Sequence, residues 1–350
     1  MSSNMFGVAI LGTGAISRFH ARAVGETPGA RLVAVCSRDK ERACLFASEF
    51  CCKAYDSLSE MLAHPDVDIL VIATPSGAHL EAAVAAAQAG KHVLCEKPLE
   101  ITLERVDAMI AAHRSAGTQL GCIFQFRYMK ALVLLRDALS EGRFGTLTYA
   151  GVYVPWWRND DYYFGSSWHG TRRLDGGGAL MNQTIHMIDL LCDVMPPVES
   201  VSAYMSSIGH PGIETEDAAT AALQFQGGAV GVIYGSTSAW PGQAKRLEIS
   251  GTSGSAVLVD DEFSFLEFRD RGICGETAVV KRSIASGHGS PGASNPVAMT
   301  HALHADCFKD FVSSLRSGTP YQSNGESARR AVAIIEAIYK SAATGKKISL

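Results

Sequence analysis

The chain has no unbroken apolar run long enough to cross a bilayer, so no membrane-spanning helix is expected. It has no CxxC pair. Its nine cysteines are scattered, and the adjacent Cys51 and Cys52 stand in no ligand spacing. That argues against a disulfide framework or a structural zinc site and fits a reduced, cytoplasmic protein; no metal is expected. It has no long basic stretch, and a formal net charge of −4 makes nucleic acid and anionic membrane poor partners. The apolar "FGVAILGTGAI" lacks a basic leader and is interrupted by Gly12 and Gly14, so a buried strand entering a glycine turn is expected there, not a targeting segment. What is present is an ordinary globular composition, 47% hydrophobic and 19% charged over 350 residues, enough for two domains.

The first third alternates short apolar β-rich runs with helical stretches. Strands are expected at 6–11, 31–36, 67–74, 91–96 and 118–124, and the clearest helix, "AHLEAAVAAAQAG", stops at Gly90. Continuous apolar strands between helices predict a doubly wound parallel sheet covered on both faces. From about residue 125 the pattern changes. A helix over 128–140 is followed by seven alternating strands between 146 and 268, then a Gly/Ser/Pro loop over 284–299 and two closing helices near 300–316 and 325–344. Hence an α/β chain is expected: a Rossmann domain over 1–124, and over 125–350 an α/β domain with a large open, mainly antiparallel sheet. Alternate apolar positions on that sheet predict a homodimer or homotetramer formed through its open face.

Two segments carry chemistry. In "AILGTGAISRFHARAV", Gly12, Thr13, Gly14, Ala15 and Ile16 lie between a strand and a helix, where backbone N–H groups and the helix dipole suit a pyrophosphate. The third glycine of the usual fingerprint is replaced by Ser17. The second strand ends in Cys36-Ser37-Arg38, with no acidic residue to take a ribose 2′-hydroxyl. Ser37 and Arg38 favour a 2′-phosphate, hence NADP with NAD as the alternative, while Asp39 is expected to start the next helix. In "DGGGALMNQTIHMIDLL" (175–191), Asn182, His186 and Asp189 are spaced by four and three, on roughly one helical face.

Together with "ATPSGAHLEAAVAAAQAGKHVLCEKPL", that glycine-led histidine segment resembles the glucose–fructose oxidoreductase/inositol dehydrogenase/MocA family, over nearly the whole chain. The resemblance implies NAD(P)-dependent oxidation or reduction of sugars, polyols or their derivatives. It maps the family's EKP motif onto Glu96-Lys97-Pro98, with Pro98 in a segment where a cis bond is expected, and its helix histidine onto His186. It places Thr74-Pro75 near the nicotinamide, with His79 close by, and Trp168-His169 where members often carry Trp-Arg against cofactor or substrate. Where many members have an aspartate four residues before the histidine, this chain has Asn182.

On that basis His186 is the candidate base, Lys97 the cation that stabilises an alkoxide or binds a carbonyl, and Asn182 an orienting group that cannot be a base. Asp189 is read as a structural pair, with a hold on the imidazole as the alternative. The aromatic, arginine-rich stretch 153–173 suits a sugar site or, equally, a packed loop; Trp157, Arg158 and Arg172 are its candidate substrate contacts, and Arg127 is a further one. Arg158, Arg172 and Arg173 also keep open a nucleotide-sugar 3-dehydrogenase. A non-catalytic NAD(P)-binding sensor is the alternative of another class, and the presence of both Lys97 and His186 argues against it.

Overall fold

The structure, a computed structural model, describes residues 5–269 and 301–350. The loop expected over 284–299 lies outside the described residues. The chain forms two compact units, drawn from Met1–Gln125 with Thr300–Val332 and from Phe126–Met299 with Ala333–Leu350.

In the first unit, six parallel strands follow the order β3-β2-β1-β4-β5-β6: β1 (Phe6–Leu11), β2 (Ala30–Cys36), β3 (Lys53–Tyr55), β4 (Ile69–Ile72), β5 (His92–Cys95) and β6 (Leu120–Cys122). Val8, Ala9, Ile10 and all of Ile69–Ile72 are fully buried, which is why these strands read as unbroken apolar runs. The connecting helices are α1 (Ala15–Gly25), α2 (Lys40–Phe50), α3 (Leu58–Leu62), α4 (Leu80–Gln88) and α5 (Leu103–Ala116). Asp39, Ser57 and Thr102 cap α2, α3 and α5 by accepting the backbone N–H of Arg42, Glu60 and Arg105. Leu11 sits beside both Cys36 and Ile72, so the loops after β1, β2 and β4 leave one edge of the sheet together. The strand order reverses between β1 and β4, the switch point at which such sheets take ligands.

The first unit also includes a late helix, α9 (Ala302–Ser317), which a split at 124/125 would assign to the second domain. It packs on α1: the rings of His304 and Phe308 lie 5.6 and 5.8 Å from that of His20, and His301 Nε2 meets Glu26 at 2.8 Å. This return belongs with the Rossmann strands because those contacts hold it there.

The second unit is built on eight strands in the order β13-β12-β11-β7-β10-β9-β8-β14: β7 (Leu147–Pro155), β8 (Val198–Ser206), β9 (Ala218–Phe225), β10 (Val230–Ser236), β11 (Arg246–Gly251), β12 (Gly254–Val259), β13 (Glu262–Phe268) and β14 (Ile348–Ser349). Only the central pair β7 and β10 is parallel; the other neighbours run antiparallel. Its helices are α6 (Lys130–Ser140), α7 (Asp160–Phe164), α8 (Ile185–Val194) and the part of α10 (Gly325–Thr344) from Ala333 on. Ala150, Val152, Val154, Ile233, Leu247 and Ile249 bury one face. On the other, Tyr149, Tyr153 and Tyr234 are half-buried and Val230 is 54% exposed. Among the described residues, no helix is long and apolar enough to cross a membrane.

Candidate active site

At the end of β1 the chain turns through Gly12, whose φ is +114°, a backbone angle that favours glycine. A Cβ there would lie 2.4 Å from the Ala73 carbonyl oxygen, so the turns after β1 and β4 meet backbone to backbone. Gly14 precedes α1 with no side-chain cap and no acidic residue in the first turn, and a Cβ built on it meets nothing. The contrast with α2, α3 and α5 is direct, since their first N–H groups are taken by Asp39, Ser57 and Thr102. Ser17, in the same turn, is buried with its hydroxyl unpaired. Free N–H groups, open space and an idle hydroxyl fit a dinucleotide pyrophosphate. Gly12 to Ile16 all keep some exposure. At the end of β2, Ser37 Oγ accepts the Asp39 N–H at 3.2 Å, so its own proton is free to donate outward, and Arg38 is exposed.

The Thr74-Pro75 turn and the EKP segment are tied together by His79. Its Nε2 lies 3.0 Å from the Thr74 carbonyl and its Nδ1 lies 3.0 Å from that of Pro98. The ring is fully buried, so His79, expected at the cofactor, is instead a clamp between two turns. The Glu96 carboxylate is likewise taken up within the protein. One of its oxygens meets His20 Nε2 at 2.8 Å and the other accepts the Lys97 N–H at 3.0 Å, which leaves it as scaffold. Lys97 is half-buried, and its bond to Pro98 is cis.

In the second unit the glycine triplet leads into a π-helical turn, Ala179–Thr184, and then α8. A Cβ on Gly178 would stand 1.9 Å from the Glu216 carbonyl oxygen, so only glycine fits. The Glu216 carboxylate accepts the N–H groups of Gly178 (3.0 Å) and Leu180 (2.8 Å) and the Tyr339 hydroxyl (3.0 Å). Burial nevertheless pushes its carboxyl up. A carboxylate already fills this helix N-terminus, so it is no anion site.

The Ala179–Thr184 segment that carries Asn182 is π-helical, its turn closed by i→i+5 bonding, and it runs directly into the helix of His186 and Asp189. Asn182 Nδ2 donates to Asp175 Oδ1 at 2.6 Å, and Asp175 Oδ2 accepts the Gly170 N–H at 2.8 Å. Gln183 joins this group: its Nε2 donates to the Tyr162 hydroxyl at 2.7 Å, and its Oε1 accepts from Arg158 at 2.7 Å. Burial and the Asp175 charge push the Tyr162 phenol far up, so it keeps its proton. Asp175, Gln183 and Tyr162 were not singled out from the sequence. The available signal was a carboxylate directly before three glycines in an otherwise apolar stretch.

His186 is nearly buried, with its ring 4.8 Å from that of Phe126. Lys245 Nζ lies 4.5 Å from the same Phe126 ring and pairs with Asp261 at 3.0 Å. Asp189 forms a structural pair with Arg127. Its two oxygens take Arg127 Nε and Nη2 at 2.7 and 2.6 Å, and both residues are fully buried. Arg127, expected at the substrate, is thereby a structural ion pair. Arg158 is likewise 2% exposed and spans the Trp157 carbonyl and Gln183, so its part is to brace the polar cluster. Arg172 is exposed and donates through Nε to the Glu214 carbonyl at 3.1 Å; Arg173 is exposed as well. Trp157, half-buried, packs 5.6 Å from His210. His169 stacks on Tyr162 with centroids 4.2 Å apart, and Trp168 lies tilted against the His169 ring at 4.0 Å.

Two family models match the chain: an oxidoreductase family with an NAD-binding Rossmann fold over residues 6–124, and the GFO/IDH/MocA C-terminal domain over 132–257. The chain belongs to the glucose–fructose oxidoreductase/inositol dehydrogenase/MocA family. It is an oxidoreductase with an NAD-binding Rossmann domain. Among relatives in this family, it is 32% identical to a 1,5-anhydro-D-fructose reductase of Ensifer adhaerens over 256 residues, covering 71% of this chain and 74% of that protein. A myo-inositol 2-dehydrogenase of Thermotoga maritima is 28% identical over 98% of each chain. Among solved structures, the WlbA dehydrogenase of Bordetella pertussis, in complex with NADH and UDP-GlcNAcA, matches with a TM-score of 0.85, 30% identity and 99% coverage of each chain.

Proposed function

We propose that the chain is an NADP-preferring dehydrogenase of a sugar, polyol or sugar derivative in which Lys97 and His186 serve one substrate hydroxyl. The observation that carries this reading is the pairing, in a member of this family, of an EKP lysine held at the carboxyl end of β5 with a histidine on the helix led by the glycine triplet. When bound, the nicotinamide exchanges a hydride with the substrate carbon. His186 takes the hydroxyl proton as that hydride leaves. Lys97, as a cation, stabilises the charge that builds on the oxygen. Asn182, its amide oriented by Asp175, positions a hydroxyl without acting as a base.

The preference for NADP is supported by Ser37, whose hydroxyl proton is free, by the exposed Arg38, and by Asp39, whose carboxylate is spent on capping α2. Losing an Arg38–phosphate contact would cost about 1.5–3 kcal/mol. Fluorescence titration of both cofactors tests this. NADPH should bind more tightly, and Arg38→Ala should weaken NADPH selectively; equal affinities in the wild type would overturn it.

A panel of sugars, polyols and nucleotide sugars, followed by absorbance of the reduced nicotinamide, tests the substrate class. Nucleotide sugars belong on it because a WlbA structure that holds UDP-GlcNAcA matches over the full chain. Turnover of none of them would refute the proposal. We further propose that a second copy covers the face carrying Tyr149, Tyr153, Val230 and Tyr234, which light scattering at micromolar concentration would refute by finding only monomer.

A further inference from the structure

One turn into α1 from the glycine turn, His20 is completely buried. Its Nε2 lies 2.8 Å from Glu96 Oε1, while Glu96 Oε2 accepts the backbone N–H of Lys97 at 3.0 Å. An ionised carboxylate only accepts, so His20 carries the proton on Nε2. The groups facing Glu96 are His20 from α1, His304 and the Cys307 thiol from α9, the Cys95 thiol from β5, Lys97 beside it and, at its carbonyl, the Cys122 thiol from β6 at 4.0 Å. Burial pushes the Glu96 carboxyl up, but the His20 hydrogen bond, with the Lys97 charge adding to it, outweighs burial and holds it down at about 2. Glu96 is therefore a fixed charge throughout the working pH range, and a charge-assisted bond to it is directional.

We propose that His20 is a positioning residue for Lys97: by donating to Glu96 it fixes the carboxylate that holds the Lys97 N–H, and so ties the lysine to the helix that begins at the glycine turn. A phenylalanine or leucine would pack as well against Phe308 and His304. The imidazole differs from them in supplying a proton to Oε1 of a buried carboxylate whose other oxygen takes the Lys97 N–H. This inference rests on the role given to Lys97 above.

The test compares His20→Asn with His20→Gln. The glutamine amide reaches about as far as the imidazole Nε2; the asparagine amide stops short of Glu96. On a substrate from the panel, turnover, KM, NADPH affinity, the pH profile and Tm are measured. His20→Asn should lower kcat roughly 10- to 100-fold through misplacement, with KM and cofactor affinity little changed. It should also add an acid limb above pH 4.5 as Glu96 takes up a proton. His20→Gln should return kcat and the profile close to wild type. If the two variants behave alike, or if the loss lies wholly in cofactor affinity, the inference is overturned. Should His20→Asn not fold, His20→Gln decides: near-wild-type kcat supports the inference, and a folded but impaired enzyme overturns it. Lys97→Met, run in parallel, separates the two claims. If it is inactive while the His20 variants behave alike, only the positioning role fails; if it is fully active, the role of Lys97 fails and takes this inference with it.

Discussion

Replacing Asn182 by aspartate would put two carboxyl groups where an amide–carboxylate hydrogen bond of 2.6 Å now stands, between two buried residues. Two carboxylates at that separation repel by about 6 kcal/mol at an effective dielectric of about 20. Keeping one protonated at pH 7 costs only about 4 kcal/mol from a reference carboxyl pKa of about 3.9. Proton uptake wins, so the variant should fold with one proton shared by the pair, which then titrates as a dyad. Repulsion between the two carboxyls raises the upper folded pKa of that dyad above the unfolded value of about 3.9. The folded variant therefore holds more protons than the unfolded chain across that window, and its stability falls as pH rises through it. Chemical denaturation between pH 5 and 8 should show the gap to wild type widening with pH. The exchanged pair, Asp175→Asn with Asn182→Asp, restores one amide and one carboxylate and should flatten the dependence. A gap that does not change with pH would refute the reasoning.

Arg127→Ala should destabilise the fold by about 3–5 kcal/mol, because it strands Asp189 as a buried, uncompensated charge; a thermal melt close to wild type, with raised KM, would instead make Arg127 a substrate contact. Burial holds the His304 imidazole down at about 4, with His20 adding to the effect and Glu96 opposing it, and burial likewise lowers His113 to about 4. Both stay neutral when folded, so their contribution is complete above pH 6.5 and is lost as pH falls toward 4; for His304 it is about 3 kcal/mol. Denaturation midpoints should drop over that range, and His304→Phe should drop less; an identical loss in that variant would show that the acid sensitivity arises elsewhere.

The longer parallel strands were legible because they are largely apolar runs, buried on both faces. The alternating strands of the second sheet were legible for the opposite reason, one face being wet. The three-residue β3 and two-residue β14 were missed, since elements so short carry no period. The attachment of α9 to the Rossmann unit was hidden because it depends on contacts such as His304 to His20, nearly three hundred residues apart. In the site, the glycine turn, Lys97 and His186 were visible as motifs. The π turn was not, because a 3.6-residue pattern cannot show one extra residue in a turn, and neither was the bond from Asn182 to Asp175. Arginines at 127 and 158 read as ligand contacts because sequence shows their charge and not their burial.

The most direct test of the proposed chemistry is the turnover of His186→Ala, Lys97→Met and the double variant on one active substrate, with Tm and NADPH affinity measured alongside. Each single change should cost roughly 10²–10⁴-fold in kcat. The double should lose little beyond the worse single, because both groups serve one transition state. Folding and cofactor binding should hold throughout. Near-wild-type turnover in His186→Ala, or activity lost only through unfolding, would contradict the account and make the helix that carries His186 a piece of core.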